Sequence, residues 1–533
     1  MMSVCVGLVS IGTLVLIVAQ CCNWQLRWKF RHIPGPAGKP VFGNTQEMQA
    51  KQPFKAHEEW QAQYGGVFKV FMMRKPIIVV ADPAAVRQIF VKDNNKYLPA
   101  LGRPLISGSA QQAEQSMMNF TTGPLWASLR HGVQPMFHTK PLTAYAKTIN
   151  EAVDQLLDNL NSVAESSSEV NIVQQMSQLT MQVIGAAAFG IDFDCQQGRV
   201  KAESPVVSAA RAVFQTSVPT FWTLATMWTP SFFIPLVKRF AHRFPTKTDV
   251  ALSKANEYMF DVSAALIENS QKASGSITAA SSHWLWFKRK PDNPYKDTVP
   301  ADNSAIAMLL KANNKASGNP LSPMQVAAQS KLFISAGFET TALTLTYCIY
   351  LLSKHPEHLA KLQQEVDGLK EQISYEDLQR LPYTAAVVSE SLRLYPPVTT
   401  VVRRAAENLK VGGYKVPRGT EVNISIWCLH HSEQWWQYAE AFKPERWLGD
   451  ETGGDRSGGL AYIPFGVGPR KCIGYKLALE EAAIALARIY QRFTFTLAST
   501  CLEPLQLVQA ITISPKGGLP MQVLKRRDLH MEP

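Results

Sequence analysis

Residues 465–474 read Phe-Gly-Val-Gly-Pro-Arg-Lys-Cys-Ile-Gly and set a cysteine where it can bind a metal. Three glycines and a proline preclude a regular helix or strand, so the backbone is a tight loop with Cys472 near its end. From Tyr475 to Arg492 the chain is rich in Ala and Leu, with Glu480 and Glu481 early and Arg488 and Arg492 late, which suits a helix and its dipole. Cys472 therefore precedes a helix N-terminus, whose N–H groups favour the thiolate, the form that ligates a metal. Glycines also let a flat macrocycle lie against the loop. The plain alternative is a buried structural cysteine in a Gly-rich turn.

Three further patterns carry chemistry. Ala336-Gly337-Phe338-Glu339-Thr340-Thr341 sets small residues before an acid and an alcohol, within a run, residues 332–352, whose one charged residue is Glu339. Thr340 can return a hydrogen bond to the Ala336 carbonyl four residues back and widen the helix there. That run is long enough to cross a membrane, but an acid near mid-membrane is costly, and a helix through the protein core accounts for the same composition. Trp126 and Arg130 lie four apart on an expected helix and can face the same way, as a surface pair or as part of an anion site. Glu390 and Arg393 lie three apart, and as an exposed pair would contribute only about 0.2–0.5 kcal/mol.

The spacing Phe-x-x-Gly-x-Arg-x-Cys-x-Gly resembles the cysteine loop of the cytochrome P-450 family, and the other patterns follow in that family's order from Pro34 onward. The resemblance implies haem b, with Cys472 as axial iron ligand, Phe465 near the sulfur, Gly474 against the macrocycle and Arg470 on a propionate. It implies that Trp126 and Arg130 bind a propionate, since a buried carboxylate pair needs cationic partners. Arg403, after Pro396-Pro397, matches another propionate-binding Arg, and the adjacent Arg404 leaves the register open by one. Ala336 and Gly337 are where the macrocycle would press. Glu339 and Thr340 match the oxygen-activation motif, in which Thr steadies bound oxygen and Glu relays protons so that the O–O bond breaks heterolytically. Glu390, Arg393 and Arg446 match a structural charge cluster that holds the cysteine loop, with Trp447 a conservative replacement for the family's usual Phe. Residues 333–337 and 188–190 look most like the clan that holds thromboxane synthase, vertebrate liver oxidases and plant carlactone oxidases.

The elements that must position these residues are unequally legible. At 533 residues and 46% apolar composition, the chain can bury a large core as one big domain or two. A formal charge of +12 without a basic run interleaved with aromatics points away from nucleic acid and toward a membrane surface or an acidic protein. Eight scattered cysteines, with no CxxC pair, indicate a reducing compartment. Residues 1–26 carry no charge and are followed by Arg27, Lys29 and Arg31, with Trp24 and Trp28 alongside. That arrangement predicts a single transmembrane anchor over 1–26, a basic Pro/Gly linker over 27–45 and a cytosolic catalytic domain over 46–533. A cleaved signal peptide would lack its basic n-region here.

Helices are expected over 54–64, from Asp82-Pro83 to about Val91, and continuously over 148–189 with Gly190 as the C-cap. Strands are expected over 67–72, 76–80, 398–402 and 411–426, with strand and turn over 493–523. Residues 101–122 show no period. The aromatic-rich, Pro-broken residues 213–244 cap an apolar cavity, dip into a bilayer or pack in the core. Residues 274–300 read as an exposed linker.

The expected whole is mainly α with small β-sheets, holding haem between the Glu339 helix and the Cys472 loop. It would insert one oxygen of O2 into a lipophilic terpenoid, fatty-acid or steroid-like substrate. The chain has no flavin or NADPH fingerprint, so electrons would come from a separate NADPH-dependent reductase, with the protein anchored in the endoplasmic reticulum membrane by its single span. Two other functions share the scaffold: a haem-thiolate isomerase or dehydratase of peroxides, against which the Glu339-Thr340 pair argues, and a non-enzymatic membrane haem-binding protein, which would consume no NADPH.

Overall fold

A 32-residue helix, Pro323–Lys354, is the element against which many of the others pack. Its start is set chemically. The Gln325 N–H donates to Ser322 Oγ, the Ser322 N–H donates back to Gln325 Oε1, and Pro323 occupies the first turn. By length and hydropathy it could cross a membrane, yet 78% of its most apolar window is buried within the protein. The helices Ile172–Ile184, Lys247–Ala273, Pro382–Leu394 and Tyr475–Arg492 pack on it, so its apolarity reflects a core position.

The structure, a computed structural model, describes residues 24–99, 116–196, 204–215, 220–229, 233–273, 295, 297–301, 304–313, 318–449 and 459–526. The expected transmembrane anchor falls almost wholly on residues 1–23, outside the described residues, as do most of the expected linker over 274–300 and much of the stretch 101–122. The Pro/Gly segment after the anchor lies against the body. Phe30 and Ile33 are buried, and the Lys69 N–H donates to the Pro34 carbonyl at 2.8 Å.

Five strands form the main sheet in the order Val67–Met72, Lys75–Val80, Glu421–Ser425, Thr400–Ala405, Tyr97–Pro99. Lys75–Val80 and Glu421–Ser425 run parallel, and the other neighbours are antiparallel. A second sheet joins Glu169–Asn171, Pro520–Lys525 and Phe493–Leu497, and a hairpin pairs Leu507–Gln509 with Ile513–Pro515.

Three expectations are corrected. The continuous helix over 148–189 is two helices, Thr139–Ser166 and Ile172–Ile184, because Ser167 turns left-handed (φ +51°) and residues 169–171 leave to pair with 520–522. The strand over 411–426 is a short hairpin, Leu409–Val411 with Tyr414–Val416, followed by Glu421–Ser425, since Gly412, Gly413 and Gly419 take positive φ. Within 213–244 lie two helices, Phe221–Trp228 and Ile234–Arg243, tied by the Trp222 indole N–H on the Phe244 carbonyl at 2.7 Å.

Candidate active site

The cysteine loop owes its path to two left-handed glycines, Gly466 (φ +67°) and Gly468 (φ +77°). A Cβ on Gly468 would sit 2.2 Å from the Phe90 carbonyl oxygen. The loop closes where the Cys472 N–H donates to the Phe465 carbonyl at 2.9 Å, and Gly474 caps the helix Tyr475–Arg492. The Gly474 N–H, Arg130 and Lys471 favour the thiolate, but burial outweighs them and pushes the Cys472 thiol up. The helix end thus favours the thiolate as expected, but burial is the larger effect. Desolvation wins until a metal cation shares the site, and coordination then deprotonates a thiol. Cys472 is deep in the fold yet keeps accessible surface, so it borders a hollow instead of packed core.

The long helix shows the same signature. Phe338, Glu339 and Thr341 are buried, whereas Ala336 is exposed and Gly337 and Thr340 are half-buried. Thr340 Oγ1 donates to the Ala336 carbonyl at 2.8 Å. Gly337 answers to helix packing: a Cβ there would meet Ile184 Cδ1 at 2.7 Å. Ile473 from the cysteine loop and Trp126 pack on the same apolar cluster as Phe338, which joins the three elements.

Three arginines converge beside the loop. The Arg130 guanidinium donates to the Lys471 carbonyl at 3.0 Å and that of Arg470 to the Thr121 carbonyl at 2.6 Å, and the Trp126 ring lies 5.9 Å from Arg130 and 4.7 Å from Arg470. Arg403, 9% exposed, rests on the Phe90 ring at 4.9 Å. Burial, then the charge of Arg470, pulls Arg403 down to about 10, and burial with the charge of Arg130 lowers Arg470 in turn. Among the described residues no carboxylate pairs with any of the three. Arg404, on the opposite face of its strand, lies beside Glu421. A buried cation such as Arg403 is costly without a counter-ion, and the half-buried Arg130 and Arg470 add like charge beside it. A haem fits this donor set, because its propionates would supply the missing negative charge and its iron the missing partner of the sulfur.

Glu339 is 7% exposed. Burial pushes its carboxyl up to about 7 against the opposing Thr512 hydroxyl, which donates to Oε1 at 2.8 Å, and the charge of Arg211. Thr512, in the turn of the 507–515 hairpin, carried no recognisable signal, because nothing in a strand-and-turn pattern says which hydroxyl reaches another element.

Glu390, Arg393 and Arg446 do meet, and the cluster reaches the cysteine loop. Arg393 uses all five donors, on both Glu390 oxygens and on the carbonyls of His430, Ala439 and Ala441. Glu390 Oε1 also accepts from Arg446 Nε at 3.0 Å and Oε2 from Trp447 Nε1 at 2.9 Å. Trp447 is therefore no neutral stand-in for Phe, which has no donor. His430, another residue the pattern did not reveal, accepts from the Ile463 N–H at 3.1 Å through Nε2 and faces the Arg393 carbonyl through Nδ1, also at 3.1 Å. Burial holds it neutral, so one ring links the Arg393 helix to the chain entering the loop.

Comparison with known proteins gives the family. The chain is 30% identical over 526 residues to the Arabidopsis thaliana protein LUTEIN DEFICIENT 5, chloroplastic, covering 98% of this chain and 81% of the relative. It is 29% identical over 506 residues to a putative cytochrome P-450 of Caenorhabditis elegans, covering 92% and 93%. It is also 29% identical over 477 residues to the Arabidopsis carotene epsilon-monooxygenase, chloroplastic, covering 88% and 81%. The cytochrome P-450 family model matches residues 33–519, a span that takes in both the Cys472 loop and the Glu339 helix, so this chain belongs to the cytochrome P-450 family and is a monooxygenase.

Proposed function

We propose that this monooxygenase hydroxylates a lipophilic small molecule of the terpenoid, fatty-acid or steroid-like class, using haem b and electrons from an NADPH-dependent membrane reductase. The terpenoid arm draws support from the relative named as a carotene monooxygenase. Bound haem supplies reductive activation of O2 and insertion of one oxygen atom into a C–H bond. Cys472 would hold the iron through its sulfur, with Phe465 and Gly474 beside it in the loop. Arg130, Arg403, Arg470 and Trp126 would hold the propionates, the exposed Ala336 would border the macrocycle with the Gly337 backbone next to it, and Arg404 is turned away. Glu339, pushed up to about 7, would exchange its proton near neutral pH, and Thr340, tethered to Ala336 and half-buried, would supply the hydroxyl beside it. Glu390, Arg393 and Arg446 brace the loop.

The observation that carries this reading is the cluster of three arginines, Arg403 buried and Arg130 and Arg470 half-buried, that have no carboxylate partner among the described residues, beside an open Cys472. The ferrous carbonyl adduct should show the red-shifted absorption of thiolate ligation, and Cys472→Ser should lose both that band and NADPH-driven turnover. Full activity in Cys472→Ser would refute it. The uncharged residues 1–26 followed by Arg27, Lys29 and Arg31 support a single-span anchor in the endoplasmic reticulum membrane with the body cytosolic. Two relatives are named as chloroplastic, so fractionation of the tagged full chain decides the compartment.

A further inference from the structure

The hairpin of Leu507–Gln509 and Ile513–Pro515 is tied to the long helix by two hydroxyls, those of Thr512 and Tyr347. Thr512 Oγ1 donates to Glu339 Oε1 at 2.8 Å across 173 positions of sequence, and both residues are buried. The turn is held on several sides. The Ala510 N–H donates to the Thr512 carbonyl at 2.8 Å, the Ile513 N–H to the Pro397 carbonyl at 2.9 Å, and Gln509 Nε2 to Thr399 Oγ1 at 2.8 Å. Tyr347, about two turns beyond Glu339 on the same helix, donates its hydroxyl to the Ile513 carbonyl at 2.9 Å. The hydroxyl of Thr512 is therefore delivered to Glu339 by a fixed scaffold.

A buried carboxyl that accepts no hydrogen bond can turn either oxygen to a given neighbour. One fixed donor removes that choice. We infer that Thr512 is a positioning residue for the proton supply of the monooxygenase proposed above. It fixes Oε1 of Glu339, so that Oε2, which has no hydrogen-bond partner among the described residues, is the oxygen that gives and takes protons. The other charged or titratable groups acting on Glu339 are Arg211, from Pro205–Gln215, and Tyr347 on its own helix. Oε2 passes a proton inward and recovers one from water, so the chain consumes none. Productive turnover takes substrate C–H, O2, two reductase electrons and two protons to hydroxylated product and water. When the proton arrives badly, the same O2, electrons and protons leave as H2O2.

Thr512→Val keeps the shape and removes the donor, and Thr512→Ser keeps the donor. In the haem-loaded full chain near pH 6, the infrared carboxyl C=O band assigned to Glu339 by its loss in Glu339→Gln should move to higher frequency in Thr512→Val and stay in place in Thr512→Ser. The fraction of NADPH electrons recovered as H2O2 should rise severalfold in Thr512→Val, with kcat for product falling, KM little changed, and Thr512→Ser restoring coupling. An unmoved band with unchanged peroxide in Thr512→Val overturns the inference. If Thr512→Val does not fold, Thr512→Ala is read the same way. The ferrous carbonyl spectrum tests the haem-thiolate reading independently, so a normal spectrum with an unmoved band discards Thr512 alone.

Discussion

At the scale of single residues, the charge cluster shows how little a motif's letters reveal of what each side chain does. Glu390 is fully buried, and its two oxygens serve Arg393, Arg446, the Lys443 N–H and the Trp447 indole. Removing one donor from a buried carboxylate leaves part of its desolvation uncompensated. Trp447→Phe should therefore cost about 1–3 kcal/mol in urea unfolding, seen as a lower midpoint at unchanged slope. A cost near zero would mean that the indole bond contributes nothing beyond packing. Gly468 is constrained twice, by its φ of +77° and by the Phe90 carbonyl, so no L-residue fits there without moving the loop.

At the scale of elements, the helix Tyr475–Arg492 has the predicted bounds but a different environment. Its early acids suit the helix dipole, yet Glu480 and Glu481 are only 3% and 4% exposed. Among the described residues, neither oxygen of Glu480 has a hydrogen-bond partner. Burial pushes Glu480 up from 4.5 to about 8, and burial plus the charge of Glu480 raises Glu481 as well. The folded state thus keeps a proton that the unfolded chain releases. Its contribution is fully present below about pH 4.5 and is lost as pH rises toward 8. Glu480→Gln should flatten the stability curve across that window, with a difference on the order of 3–5 kcal/mol between its ends. Chemical denaturation at pH 5 and pH 8.5 checks it, and parallel curves for the two proteins would contradict it.

At the scale of the whole molecule, one apolar surface stands out. Phe221, Phe233, Leu236, Phe240 and Phe244 are exposed on or beside the helices Phe221–Trp228 and Ile234–Arg243, and the second helix also carries Lys238, Arg239 and Arg243. Exposed aromatics beside lysines and arginines suit the boundary of an anionic bilayer. Hydrogen exchange over residues 234–243 should slow about tenfold when the full chain is reconstituted into phosphatidylserine-containing vesicles. The Phe240→Ser/Phe244→Ser double variant should lose that slowing. Equal exchange in vesicles and in solution would assign the surface to another role.

Sequence alone determined what depends on neighbours along the chain. The helix Pro382–Leu394, the strand Val67–Met72, the turn chemistry of the cysteine loop and the Thr340–Ala336 bond all follow from spacing, propensity and glycine geometry. Tertiary structure decided what depends on partners far away. Whether Arg403 or Arg404 turns inward is fixed by strand register, and the break at Ser167 by the strand Pro520–Lys525, far downstream. That Glu339 meets Thr512, and that desolvation raises the Cys472 thiol despite the helix end, depend on what the whole fold packs around them. Desolvation is the sum over everything packed around a group, and no local pattern of residues encodes it.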